Sequence, residues 1–325
     1  MTIYIRCMGK RDAKMRPGPK ARPLEGKIAL VAGATRGAGR GIACMLGEAG
    51  ATVYCSGRST RQHPSTTGYY AGRPETIEET AEMVDSYGGV GIPVRIDHLI
   101  PEQVESLVAK IRKDHRRLDI LVNDISEGEP HEWKPFWQLD LEKGFRMLRN
   151  ALDSHILTAR HAVPLMLKHP GGLIVEVGDG DTLGYRATLF FDLIKISVSR
   201  FALAMAEDLY KHRVAAVALS PGFMRSEQML DHFGVTESNW RDGAKKDPNF
   251  IHSETPFFVG RAVAALAADP NVLQKSGGLY GAWTLAREYG FRDLDGSQPN
   301  LVEHVDLDQY FKLHTRFRWT IGQAS

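Results

Sequence analysis

The stretch Ala32-Gly33-Ala34-Thr35-Arg36-Gly37-Ala38-Gly39-Arg40-Gly41 follows directly on the apolar run Ile28–Val31. A glycine-rich turn that opens a helix brings backbone N–H groups up to an anion, because no β-carbon stands in the way and the helix end is positive. The chemistry such a turn supports is the holding of a pyrophosphate. A second apolar run ends in Tyr54-Cys55-Ser56-Gly57-Arg58-Ser59. NAD-binding proteins place a carboxylate there for the ribose hydroxyls, and NADP-binding proteins place an arginine there for the 2′-phosphate. No acid is present, so Arg58, joined by Arg36 from the turn, is expected to clamp a 2′-phosphate through charge-assisted hydrogen bonds. NADP(H) is the expected cofactor.

Such a site depends on the elements that carry it. Apolar runs at Ile28–Val31, Ala51–Tyr54, Gly91–Ile96, Leu118–Val122, Leu173–Val177 and Val214–Leu219 read as strands. Between them Gly39–Ala49, Thr76–Tyr87, Pro101–His115, Leu141–His169 and Phe191–Lys211 carry apolar residues at three-and-four spacing and read as helices. This alternation predicts an α/β fold with a doubly wound parallel sheet of Rossmann type in a single domain. Right-handed crossovers then gather the C-terminal ends of the strands, and the ligand, along one edge. Residues 25–296 are the expected domain. Two insertions interrupt it, Arg61–Pro74 and Phe223–Pro256, and the second, around residues 223–256, is expected to be a lid. Residues 1–24 read as a flexible basic arm, with Arg6, Lys10, Arg11, Lys14, Arg16, Lys20 and Arg22 against Asp12 and with Pro17, Pro19 and Pro23 as breaks. Residues 297–325 read as a C-terminal tail.

The 325 residues are 43% hydrophobic and 25% charged with a net charge of +2, the balance of a globular protein with a sizeable core and no field that dictates a nucleic-acid partner. No apolar stretch approaches the ~18 residues of a membrane span or forms the core of a secretory signal. Cys7, Cys44 and Cys55 lack metal-ligand or redox spacing. A cytoplasmic protein without a metal site, acting on a small molecule, is expected.

The spacing Gly33-x-x-x-Gly37-x-Gly39 departs from the ordinary dinucleotide fingerprint and resembles that of the short-chain dehydrogenases/reductases. The resemblance runs from Lys27 to about Gly296. Asp97 after the third strand matches that family's adenine-contacting Asp. Asn123 matches the first Asn of its Asn-Asn-Ala-Gly motif, while Asp124, Ile125 and Ser126 depart from it. Lys195 matches the Lys that holds the nicotinamide ribose, and Pro221-Gly222 with Ser226 resembles the segment at the nicotinamide end. Ser253–Pro256, Val259–Pro270 and Leu285–Gly296 are similar to the dehydrogenase/reductase member 1 group and its bacterial relatives. The resemblance implies a cofactor site of Gly33, Thr35, Arg36, Gly37, Ala38, Gly39, Arg58, Ser59, Asp97, Asn123, Lys195, Pro221, Gly222 and Ser226. It also implies an oxidoreductase that pairs into a dimer or tetramer.

The catalytic set of the family is incomplete. The Tyr expected four residues before Lys195 is Phe191, and the Ser or Thr expected at the end of the fifth strand is Gly178. The Asn expected on the preceding helix falls on Ala151, with Asn150 adjacent. A positioned general acid is worth about 10²–10⁴ in rate, so ordinary ketone reduction is expected to suffer. Three readings follow. The substrate is an activated carbonyl or an iminium, needing little protonation; or Asp179, Asp181 or Tyr185 supplies the proton; or NADP(H) is retained for non-redox chemistry by a lyase, isomerase or cyclase, or for ligand binding alone. His155 faces the site in the family fold, Trp133, Phe136 and Trp137 are candidates to line a substrate pocket, and Cys44 and Cys55 have no base nearby in sequence.

Overall fold

Every side chain of strand β1 (Ile28–Ala32) is buried, and its two faces serve different cores. Ala29 and Val31 pack in one apolar cluster, Ile28 and Leu30 in the other. A strand buried on both faces marks a parallel sheet covered by helices on both sides. The structure, a computed structural model, describes residues 22–66, 68–182 and 184–306. Most of the basic arm, including Cys7, and the tail beyond residue 306 lie outside the described residues.

In chain order the elements are β1, α1 (Gly37–Glu48), β2 (Thr52–Gly57), α2 (Ile77–Ser86), β3 (Val90–Arg95), α3 (Pro101–His115), β4 (Ile120–Asn123), α4 (Leu141–Leu148), α5 (Ser154–Met166), β5 (Gly172–Val177), α6 (Leu189–Leu209), β6 (Val214–Ser220), α7 (Glu227–Phe233), α8 (Pro256–Ala268), β7 (Leu279–Gly281) and α9 (Ala282–Tyr289). The sheet is parallel throughout, in the order β3-β2-β1-β4-β5-β6-β7. The chain therefore reverses direction across the sheet between β1 and β4, which opens the crevice where doubly wound proteins bind ligands. This is the single-domain Rossmann-type fold expected from the alternating pattern.

Three local features differ from expectation. The helix read as continuous over Leu141–His169 is two helices separated by a π-helical turn at Arg149–Asp153, a device that adds a residue without breaking the apolar stripe. A seventh strand, β7, extends the sheet beyond β6. The insertion after β6 has a core of its own, Leu230, Phe233, Trp240 and Phe250. The fully buried Arg225 ties it down: its guanidinium bonds Glu237 at 2.9 Å and the Ser253 carbonyl, and lies 4.1 Å over the Trp240 ring.

Candidate active site

The turn from β1 into α1 fits together with almost no spare room. A β-carbon at Gly33 would collide with the Asp124 carbonyl, and one at Gly39 would come within 2.9 Å of the Asp124 carboxylate. Arg40, 3% exposed, braces the turn from beneath through the Thr35 carbonyl (3.2 Å), Thr80 (3.1 Å) and Glu79 (2.7 Å). The first turn of α1 contains no acid and no side-chain cap, so its amides are free to attract an anion from elsewhere. One arrives from α7: Glu227 accepts from the Gly37 amide at 2.9 Å and pairs with Arg40 at 3.4 Å.

Above the turn runs a groove of about 750 Å3, lined among others by Gly33, Thr35, Arg36, Gly37, Ala38, Arg58, Ser59, Asp97, Asp124, Asn150 and Ser226. Arg58 stands 62% exposed with Asp97 at 3.9 Å, a loose pair that leaves most guanidinium donors unspent. Arg36 is more committed. It bonds Glu75 at 3.1 Å, which it shares with Arg73, and lies 4.6 Å over the Tyr70 ring. Its Nη2 is buried without a hydrogen-bond partner among the described residues. The two arginines thus border one groove but are not equivalent: Arg58 is the freer charge. The remaining expected cofactor residues lie outside the groove lining. Gly39 is beneath it, and Pro221-Gly222 packs at Glu254, which accepts from the Gly222 amide. Asn123 is fully buried, with Nδ2 donating to Glu176 at 2.7 Å, and is not among the groove-lining residues.

At the other end of the crevice, Lys195 on α6 stands one turn beyond Phe191, with Nζ 5.2 Å from the ring centre. Burial alone would lower the ammonium's pKa, but the carboxylates of Glu127 and Asp179 outweigh burial and hold it above the ordinary value. Glu127 reaches Nζ at 3.3 Å and, with its other oxygen, His131 at 2.8 Å. Burial works against the Glu127 carboxylate, yet Lys195 and His131 hold its pKa well below the usual range. Asp179 behaves oppositely: burial raises its pKa, offset only in part by Lys195 and Arg186. A β-carbon at Gly178 would have its nearest neighbour, the Ser199 hydroxyl, at 3.6 Å.

The structure places Asp179 with Lys195 but not the other two expected donors. Tyr185 is 49% exposed, and burial, with Asp192 beside it, raises the phenol's pKa, which makes it a weaker donor; no hydrogen bond or ion pair among the described residues joins Tyr185 or Asp181 to Lys195. Asn150, not Ala151, faces the site. Its Nδ2 donates to the Glu127 carbonyl at 2.9 Å, while Ala151 packs against Phe190 and Ile194. The one-residue slip is the extra residue of the π turn. His155 is 2% exposed and spent on Glu176 (2.6 Å) and the Ile125 carbonyl (3.1 Å). Trp133, Phe136 and Trp137 are 61–71% exposed, and none of them lines the groove. Cys44 and Cys55 are fully buried, and burial pushes the Cys44 thiol up to about 12 and the Cys55 thiol up as well, so neither is poised as a nucleophile. Sequence reasoning missed Glu127 and His131. Their signal was a Glu and a His four residues apart directly after the departing Asn-Asp-Ile-Ser motif.

Asp124, at the floor of the groove, is pushed up to about 7, chiefly by burial and against the Gly39 amide that bonds it. Its pKa in the unfolded chain is near 3.9, so between these values the folded protein binds more protons and stability falls as pH rises. Asp124→Asn removes the charge and keeps an acceptor for Gly39. Urea denaturation should show a gain on the order of 1–3 kcal/mol at about pH 8, shrinking to nothing at about pH 4; an equal change at both would contradict this.

Fold, turn and groove together define a protein that holds a dinucleotide at the carboxyl ends of its strands. The family model for short chain dehydrogenases matches residues 27–233. The Dehydrogenase/reductase SDR family member 1 of Mus musculus is 34% identical over 281 residues, 84% of this chain and 85% of that protein. Its Homo sapiens counterpart is 32% identical over 298 residues, 88% and 91%. Among solved structures, a short chain dehydrogenase from Mycobacterium thermoresistibile aligns with a TM-score of 0.70 at 21% identity over 85% of this chain and 92% of that one. The chain belongs to the short-chain dehydrogenase/reductase family, oxidoreductases that use a nicotinamide cofactor and small-molecule substrates. The residues present fit that cofactor: at Gly37 an added β-carbon would meet nothing closer than the Ser226 side chain at 3.9 Å, so the backbone there lies open to the groove, and Arg36 offers a buried donor at the groove wall with no partner among the described residues. No helix among the described residues is long and apolar enough to cross a membrane.

Proposed function

We propose that the chain is an NADP(H)-dependent oxidoreductase of small or medium organic carbonyls or imines, working with Lys195 and a substituted proton donor. The observation that carries the cofactor choice is Arg58, exposed at the end of β2 beside the groove with only the loosely paired Asp97 near it. A guanidinium there favours a 2′-phosphate over bare ribose hydroxyls. Arg36 supplies a second, partly neutralised donor. Asp97 and Ser59 bound the adenosine end, and Ser226 caps α7 where it meets the turn.

When bound, the nicotinamide supplies or accepts a hydride. The protein's part is to orient and to move protons. Lys195 is kept charged by Glu127 and Asp179, so it holds a ribose hydroxyl and places positive charge where a substrate oxygen becomes anionic. With no hydroxyl at position 191, carbonyls already activated by conjugation or by conversion to an iminium suit the site best. The exposed Leu141 and Phe145 on α4 and Ile156 on α5, each 50–58% exposed, support a homo-oligomer, and the buried free thiols support a reducing cytoplasmic setting.

Calorimetric titration tests the cofactor choice. NADPH should bind at least about tenfold more tightly than NADH, equivalent to roughly 1.4 kcal/mol, and Arg58→Glu should abolish the difference. Equal affinities in the wild type would contradict it.

A further inference from the structure

Glu127, His131, Phe191 and Lys195 close a ring of contacts around the place of the missing phenol. The Glu127 carboxylate, in a residue 8% exposed, bridges Lys195 Nζ at 3.3 Å and His131 Nε2 at 2.8 Å. The imidazole stands edge-on to the Phe191 ring, centroids 4.6 Å apart at 85°, and that ring lies 5.2 Å from Nζ. The other imidazole nitrogen, Nδ1, is buried and has no partner among the described residues. Buried ring nitrogens are normally satisfied, and one left open next to reactive groups calls for a role. A carboxylate on one nitrogen fixes the ring's orientation and stabilises the imidazolium that can give up a proton from the other.

We propose that His131, oriented by Glu127, is the proton donor that replaces the lost tyrosine. The proposal rests on the oxidoreductase reading above. In the reductive direction, a hydride drawn from the reduced nicotinamide forms the new C–H bond at the carbonyl carbon. The π pair of the C=O bond takes the Nδ1 proton and becomes the hydroxyl group. His131 regains its proton from water, and an oxidised nicotinamide remains. Charged groups surround the imidazole from every packed element: Glu127 on its own loop, Lys195 on α6, Asp179 after β5, and Asp124 beyond them after β4. Asp179 balances Lys195 and Arg186 in this arrangement, which leaves the imidazole as the group with both an orienting carboxylate and an open nitrogen.

Two measurements test this. In the cofactor-free protein, ¹⁵N NMR should show the His131 ring held with a proton on Nε2 against Glu127, and Glu127→Gln should change the Nε2 signal. With NADPH and butane-2,3-dione, His131→Asn should lower kcat by about 10²-fold or more and leave KM and the calorimetric NADPH affinity nearly unchanged. A folded, NADPH-binding His131→Asn protein with kcat within about threefold of wild type overturns the proposal, as does a His131 Nε2 signal indifferent to Glu127→Gln. Absence of NADPH consumption by the wild type with butane-2,3-dione overturns both the oxidoreductase reading and this proposal, whereas wild-type turnover that survives His131→Asn overturns the proposal alone.

Discussion

Phe191→Tyr combined with Gly178→Ser is expected to raise NADPH-dependent reduction of an unactivated ketone such as cyclohexanone by about 10²-fold over the wild-type rate, chiefly through the added donor at position 178, with the phenol joining His131 as a second proton donor. Position 191 already lies over Lys195, whose Nζ is 5.2 Å from the ring, so a phenol there gains an ammonium that lowers its pKa towards a useful range. Position 178 accepts a side chain, since the nearest atoms to an added β-carbon are the Ser199 hydroxyl at 3.6 Å and the Lys195 carbonyl at 4.0 Å. Its hydroxyl would donate to the substrate oxygen, where charge develops in the transition state. Phe191→Tyr alone should recover part of the gain. A well-folded, NADPH-binding double variant that stays inert would show that the pocket has been reshaped away from carbonyls. A wild type that already reduces cyclohexanone at the double variant's rate would contradict the argument from the other side.

Glu176→Ala should cost about 2–5 kcal/mol of stability, since each buried hydrogen-bonding group left without its partner costs about 1–3 kcal/mol. Glu176 is completely buried on β5, and its two oxygens hold Asn123 at 2.7 Å and His155 at 2.6 Å. His155 spends its other nitrogen on the Ile125 carbonyl, so one carboxylate fixes the end of β4, the start of the loop after it, and α5. Its loss leaves two buried donors unmet. His155→Ala should cost a similar amount, and because both remove the same interaction, the double variant should cost markedly less than the sum, a coupling of at least about 1 kcal/mol in a double-mutant cycle. Additive losses, or a single loss below about 1 kcal/mol, would show that the triad is incidental to the stability of the strand ends.

What the sequence made legible is what depends on neighbours in the chain. The glycine turn, Arg58 after β2 and the period of the apolar runs are local, and six of the seven strands and the groove-lining residues from Gly33 to Ala38 with Arg58 and Ser59 follow from them. Strand β7 is three residues long with a glycine on either side of Leu279-Tyr280, too short for periodicity to register. The split between α4 and α5 was hidden because the π turn Arg149-Asn-Ala-Leu-Asp153 contains neither Gly nor Pro. The chemical half of the site was least legible, for it is built from pairings distant along the chain. Glu127 meets Lys195 across 68 positions and Asn123 meets Glu176 across 53. The Glu176 partner of Asn123 and the half-exposed setting of Tyr185 are likewise invisible to neighbours in the chain. Glu75 tempered the Arg36 charge in the same way, from 39 positions away.

The most direct test of the NADP(H)-dependent oxidoreductase reading is to follow deuterium from NADPH labelled at the transferable C4 position in wild-type incubations with butane-2,3-dione, a cyclic iminium and an enone. Label should appear on carbon in the reduced product, one equivalent for each NADPH lost from the reduced-nicotinamide absorbance band. Conversion of any of these compounds at constant absorbance, with no label in the product, would mean that the groove retains its dinucleotide for chemistry other than hydride transfer.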